Sequence, residues 1–202
     1  DPVEHRYIAK CELDYEEAGR LTETLRSLGL EVFQNVVMDD SSLIFYESLS
    51  HKSSRRLYDR MRKSPYRNYI NRPLPEGQPV VYLISIDERE TIQAAYQALQ
   101  AQGETERYKI VCSDAGDFPG LAFLRIYNKD AEKLNMLEKL KEVTGYSSAV
   151  TFGSIRENYD VYVHAPTGDD VAKFLRKEFE PVIWSRKSRA DCIRSEGKRR
   201  PV

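Results

Sequence analysis

The stretch Leu124 to Ser154, LRIYNKDAEKLNMLEKLKEVTGYSSAVTFGS, constrains this chain more than any other. It reads as a strand, then an amphipathic helix with Leu134, Leu137 and Leu140 on one side and Gly145 as its stop. A second strand, Ala149 to Phe152, follows and ends in the small-residue turn Phe152-Gly153-Ser154. Strand–helix–strand units of this kind join parallel strands of an open sheet, so the last third of the chain is expected to be α/β.

The preceding residues alternate differently. Arg6 to Glu12 reads as an edge strand. Asp14 then opens a helix, with Glu17 at the reciprocal capping position and Ala18, Leu21, Leu25 and Leu28 on one face before Gly29. Val32 to Met38 and Leu43 to Tyr46 flank the turn Asp39-Asp40-Ser41-Ser42, a hairpin signature. Lys52 to Lys63 reads as a basic helix, and Pro73, Pro75, Gly77 and Pro79 mark a loop. Val80 to Ile86 is the most apolar run. Asp87 with Glu90 repeats the capping pattern ahead of a helix through Ile92, Tyr96 and Leu99. Tyr108 to Cys112 and Leu121 to Tyr127 complete a set of strands paired around helices, an α+β sheet covered on one face. Tyr159 to Val163 is a further strand, and Thr167 with Asp170 caps a helix carrying Val171, Phe174 and Leu175. Residues 185–202 have little apolar periodicity and read as a mobile tail.

The net charge of −1 conceals segregation. His51 to Arg72 holds eight Lys or Arg against Asp59 alone, and the tail holds seven against Asp191 and Glu196, on an otherwise acidic chain. Such zones suit phosphate or nucleic acid. With Tyr58, Tyr66 and Tyr69 interleaved, the first could contact RNA by phosphate pairing and stacking, although a solvated basic helix explains it as well and is preferred. Cys11, Cys112 and Cys192 are scattered and odd in number, which argues against a disulfide framework and for a reducing, cytoplasmic setting. No apolar run approaches the length of a membrane span. With Asp1 where an initiating methionine would stand, an excised fragment is expected.

Four segments together resemble the haloacid dehalogenase-like (HAD) phosphatases of the Cof type. The run from Asp1 through VFQNVVMDDSSLIFYES resembles that family's passage from core to cap, and Val80 to Gly103 its cap strand and helix. LRIYNKDAEKLNML resembles the re-entry to the core, and AVTFGS the strand before the magnesium loop. The resemblance implies an α/β chain made of a partial HAD-like, Rossmannoid core with a large α+β cap module. Its divisions are a core edge strand at 1–13, the cap at 14–123, the C-terminal part of the core at 124–184 and the basic tail at 185–202. It implies a covalent phosphatase acting on a small phosphorylated metabolite, in which an aspartate attacks the phosphoryl group, a second aspartate is acid and base, and magnesium neutralises charge.

By family position Lys133 is the phosphate-binding lysine, placed where the positive end of a helix dipole favours phosphate. The chain contains no Asp-x-Asp, the family's nucleophile motif. Gly153-Ser154 stands where Gly-Asp would open the magnesium loop, which leaves Glu157 and Asp160 as the acids for the metal. A catalytically degenerate relative that binds a ligand or partner is the alternative, and a nucleic-acid-binding role the third.

Overall fold

The computed structural model describes residues 6–65, 67–153, 159–163, 170 and 172–177. They fall into two compact units that divide after Gly145.

The first unit begins without the expected edge strand. Residues 6–12 pair with nothing in a ladder, and only Leu13 bridges Val80, through bonds of 2.8 and 3.0 Å. Helix α1 (Tyr15–Ser27) follows, with Asp14 extended at φ −68° and its carboxylate accepting the Glu17 N–H at 2.7 Å. The cap is one-sided. Glu17 does not reach back to Asp14; its Oε1 accepts the Tyr108 hydroxyl at 2.7 Å instead.

Strands β1 (Phe33–Met38) and β2 (Ser41–Tyr46) form the hairpin, closed by two residues rather than four. Asp39 (φ 47°) and Asp40 (φ 56°) are both left-handed, as the tight turn matching strand twist demands. Helix α2 (Lys52–Met61) then leads to β3 (Asn68–Asn71), a short edge strand parallel to β2. β4 (Tyr82–Glu88), α3 (Arg89–Ala101), the single turn α4 (Glu104–Arg107), β5 (Tyr108–Asp114) and β6 (Leu121–Asn128) complete the sheet. Its order is β3-β2-β1-β4-β6-β5, antiparallel throughout except at β2–β3. The class is therefore mixed α/β, as expected.

Two readings change here. Leu124 lies in the middle of β6, whose neighbours are β4 and β5, so the expected division at 123/124 cuts a strand. The sheet is also covered on more than one face. Alternation along β4 sends Leu83 to a cluster with Leu21 and Leu25 of α1 and Ile92 and Leu99 of α3. It sends Ile86 to the opposite side, where Leu57 of α2 packs with Phe33, Ile44 and Phe123.

Helix α5 (Lys133–Thr144) stops at Gly145, which is left-handed at φ 73°. None of its residues is buried, and Leu134 and Leu140 on its apolar side are exposed. In the second unit, β7 (Phe152–Gly153) pairs with β8 (Val161–Tyr162) in parallel. Residues 170 and 172–177 are helical, while Thr167 and the basic tail lie outside the described residues. No described helix is long and apolar enough to cross a membrane.

Candidate functional site

Helix α2 brings no acidic residue to its first turn, and His51 at its N-cap makes no side-chain capping bond. The unpaired donors are satisfied from outside the helix. Glu31, between α1 and β1, accepts the Ser50 N–H at 2.5 Å, the His51 N–H at 3.2 Å and the Ser48 hydroxyl at 2.8 Å. Burial alone would push the Glu31 carboxyl up, but these bonds outweigh it and hold the group below the usual carboxylate range. The helix start is thus already occupied by a carboxylate of the protein.

With that cap supplied, the His51 ring is turned to Asp87. Nδ1 lies 2.9 Å from Asp87 Oδ2, and Asp87 Oδ1 accepts the Glu88 N–H at 2.8 Å. Asp87 is therefore not the cap of α3, which starts at Arg89 behind Glu88 with no side-chain capping bond. β4 runs on through Asp87, and the imidazole claims its carboxylate. The Asp87 side chain is 16% exposed and that of His51 40%, so a shielded carboxylate braces a ring that solvent reaches. Nδ1 is engaged by the carboxylate, so Nε2 is the ring nitrogen left for a ligand.

The pair lines a cleft of about 710 Å³ with Lys52, Arg56, Glu90 and Thr91, a volume usual for small-molecule sites. Arg56 stands 5.7 Å from the Phe118 ring. The lining carries both signs: Lys52 and Arg56 against Asp87, Glu88 and Glu90. Such a wall can pair with an anionic group and accept hydroxyl protons from the same ligand. Sequence reading missed it because His51 and Asp87 are 36 residues apart and Asp87 already had a plausible local role.

The residues expected from the sequence lie elsewhere. Lys133 is the first residue of α5, exposed, behind Glu132 at the N-cap. Asp160, in the second unit, accepts from both the Thr151 N–H and the Thr151 hydroxyl at 2.8 Å and returns its own N–H to that hydroxyl at 3.0 Å. It clasps β7 to β8. Gly153 packs against the Tyr159 ring so closely that a Cβ would collide with it. Ser154 and Glu157 lie outside the described residues. Among the described residues no three His, Cys, Asp or Glu converge on a point.

Of the tyrosines of the basic stretch, Tyr58 and Tyr69 are engaged as well, and Tyr66 lies outside the described residues. Tyr58 meets Tyr69 edge-on at 5.3 Å and Tyr46 at 5.5 Å, and burial raises the Tyr69 phenol. Tyr58 and Tyr69 are both partly buried and pack against the second core. Arg55 donates to the Leu49 carbonyl, and Arg60 meets Asp117 at 3.2 Å.

A mixed α/β sheet with helices on both faces and a lined cleft at one of them is the architecture against which comparison is made. No sequence-family model matches the chain, and no curated protein does. Among solved structures, the chain is similar to a haloacid dehalogenase-like hydrolase from Bacteroides thetaiotaomicron, at TM-score 0.47 and 18% identity, over 67% of this chain and 46% of that one. It is also similar to TM0651 from Thermotoga maritima, at TM-score 0.44 and 19% identity, over 65% of this chain and 45% of that one. The chain spans less than half the length of either.

Proposed function

We propose that this chain is part of a HAD-like phosphatase of the Cof type acting on a small phosphorylated metabolite, and that the cleft of its first unit binds a separate hydroxyl-bearing anion. The observation that carries the second half is the cleft in which Lys52, Arg56 and the Asp87-braced His51 share a wall with Glu88 and Glu90. A hydroxyl-bearing anion suits that lining, because carboxylates accept hydrogen bonds from hydroxyls while the two cations draw in the anionic group. Lys133, at the start of α5, is the residue this reading gives to the phosphoryl oxygens. No residue of the chain is assigned as nucleophile, since it contains no Asp-x-Asp, and no step is derived through magnesium.

The test is phosphate release by the intact protein from a panel of sugar and polyol phosphates in magnesium buffer. Turnover is expected, with Lys133→Ala reducing kcat/KM at least about tenfold. Absence of turnover on every ester would refute the reading. So would a Lys133→Ala enzyme as active as the parent.

A further inference from the structure

Helix α2 covers the second face of the sheet only in part. Beyond Met61 a cavity of about 110 Å³ remains, floored by Phe33, Ile84 and Phe123 and walled by Asn35, Tyr69 and Tyr82. It shares no lining residue with the His51–Asp87 cleft. Arg67 reaches it from just before β3 and Arg125 from β6. Arg125 donates to the Ser113 hydroxyl at 2.8 Å and lies 4.4 Å over the Phe123 ring.

Three observations set this cavity apart from ordinary packing. First, among the described residues neither guanidinium has a carboxylate partner, in a chain with 32 acids. Second, both cations act on one phenol. Burial pushes Tyr82 up, and Arg67 and Arg125 each oppose it. Two positive charges facing one cavity without a carboxylate among the described residues favour an anion there. Third, Asn35 is 5% exposed and lines the cavity, its amide donating a 3.5 Å bond to the Phe33 carbonyl. Its carboxamide can meet a ligand with a directional hydrogen bond.

We propose that this cavity binds a small organic anion, its carboxylate or phosphate-type head between Arg67 and Arg125 and its flat apolar body on Phe33, Ile84 and Phe123. Arginine suits either head, because its planar fork matches two oxygens at once. The apolar part is limited to about one ring, since an apolar cavity of about 150 Å³ holds benzene. Asn35 supplies one directional bond to the ligand at the inner end. The site does not rest on the phosphatase reading and stands if that reading fails.

The experiment is an NMR titration of the whole chain with phenylphosphonate, benzoate, inorganic phosphate and benzyl alcohol, using the backbone signals of β4 and β6. Phenylphosphonate, benzoate or both should bind in the millimolar range or tighter, and the preference between them identifies the head group. Arg67→Gln and Arg125→Gln should each weaken binding about tenfold or more, the loss of a charge-assisted hydrogen bond. Arg67 is exposed, so its variant keeps the fold. His51→Ala should bind like the parent, which separates this site from the cleft. Inorganic phosphate and benzyl alcohol should bind at least about tenfold more weakly, each lacking half of the recognition. Failure of both organic anions to bind below about 10 mM overturns the proposal. Binding unaffected by either arginine variant does so too, as does inorganic phosphate binding as tightly as phenylphosphonate.

Discussion

Arg20→Met tests how the first unit holds α1 against the end of its sheet. Arg20 of α1 forks onto Glu104 of α4, Nη1 to Oε1 at 2.5 Å and Nη2 to Oε2 at 3.0 Å, and Nη2 also reaches the Tyr108 hydroxyl at 3.3 Å. Glu104 is 4% exposed, so methionine would leave a buried carboxylate with only Arg107, at 3.9 Å, for a partner. Breaking a fully buried pair costs about 3–5 kcal/mol. The Arg20 side chain is 41% exposed, so water reaches the vacated place and the expected cost falls to about 2–3 kcal/mol. In urea unfolding followed by circular dichroism, that lowers the midpoint by about 1 M or more at the usual slopes. The pH dependence gives the reasoning a second check. The hydrogen bond from Arg20 is the main cause that holds the Glu104 carboxyl below its ordinary range. Its contribution to stability is therefore complete above the unfolded carboxyl value of about 4.3, and is lost as pH falls through the lower folded value. In the variant, burial without Arg20 favours the neutral acid, so the gap between parent and variant should shrink from pH 7 to pH 3. A difference below about 0.5 kcal/mol at pH 7, or one that stays constant over that range, refutes the argument.

Two smaller perturbations follow from local geometry. Glu31→Gln removes the carboxylate that caps α2 and should cost about 1 kcal/mol at neutral pH. Because the folded Glu31 carboxyl lies below its ordinary range, that cost should vanish as pH falls through the folded value; thermal melts at pH 7 and 3 measure it. Asp39→Gly should stabilise the β1–β2 hairpin by roughly 0.5–1 kcal/mol, since φ 47° suits glycine, whereas Asp39→Val should destabilise it. Equal melting temperatures for the two variants would show that the turn does not strain its residues.

What could be read from the chain was local. Asp14 caps α1 because its carboxylate and the Glu17 N–H are three residues apart, and no distant group competes. Asp39-Asp40 between two apolar runs specifies the hairpin, and only the number of turn residues differed from expectation. The reading failed where a distant partner outbid a local one. Glu17 went to Tyr108 rather than to Asp14, and Asp87 went to His51 rather than to the start of α3. β3 escaped notice because Asn68 and Asn71 are poor strand residues, and only the edge of β2 gives them a ladder. The pattern Leu134, Leu137, Leu140 states that one face of α5 is apolar, not that anything covers it.

The sequence by itself determined the start of α1, the hairpin, the apolar strands and the α/β class, because each rests on bonds or alternation within a few residues. Only the tertiary structure decided that the Leu124 segment lies between β4 and β5, that Tyr58 and Tyr69 pack against the second core, and that His51 meets Asp87. It alone brought Arg67 and Arg125 to one cavity. Contacts across tens of residues depend on which strand lies beside which. That order follows from burying both faces of the sheet together, a condition on the whole unit that no single segment carries.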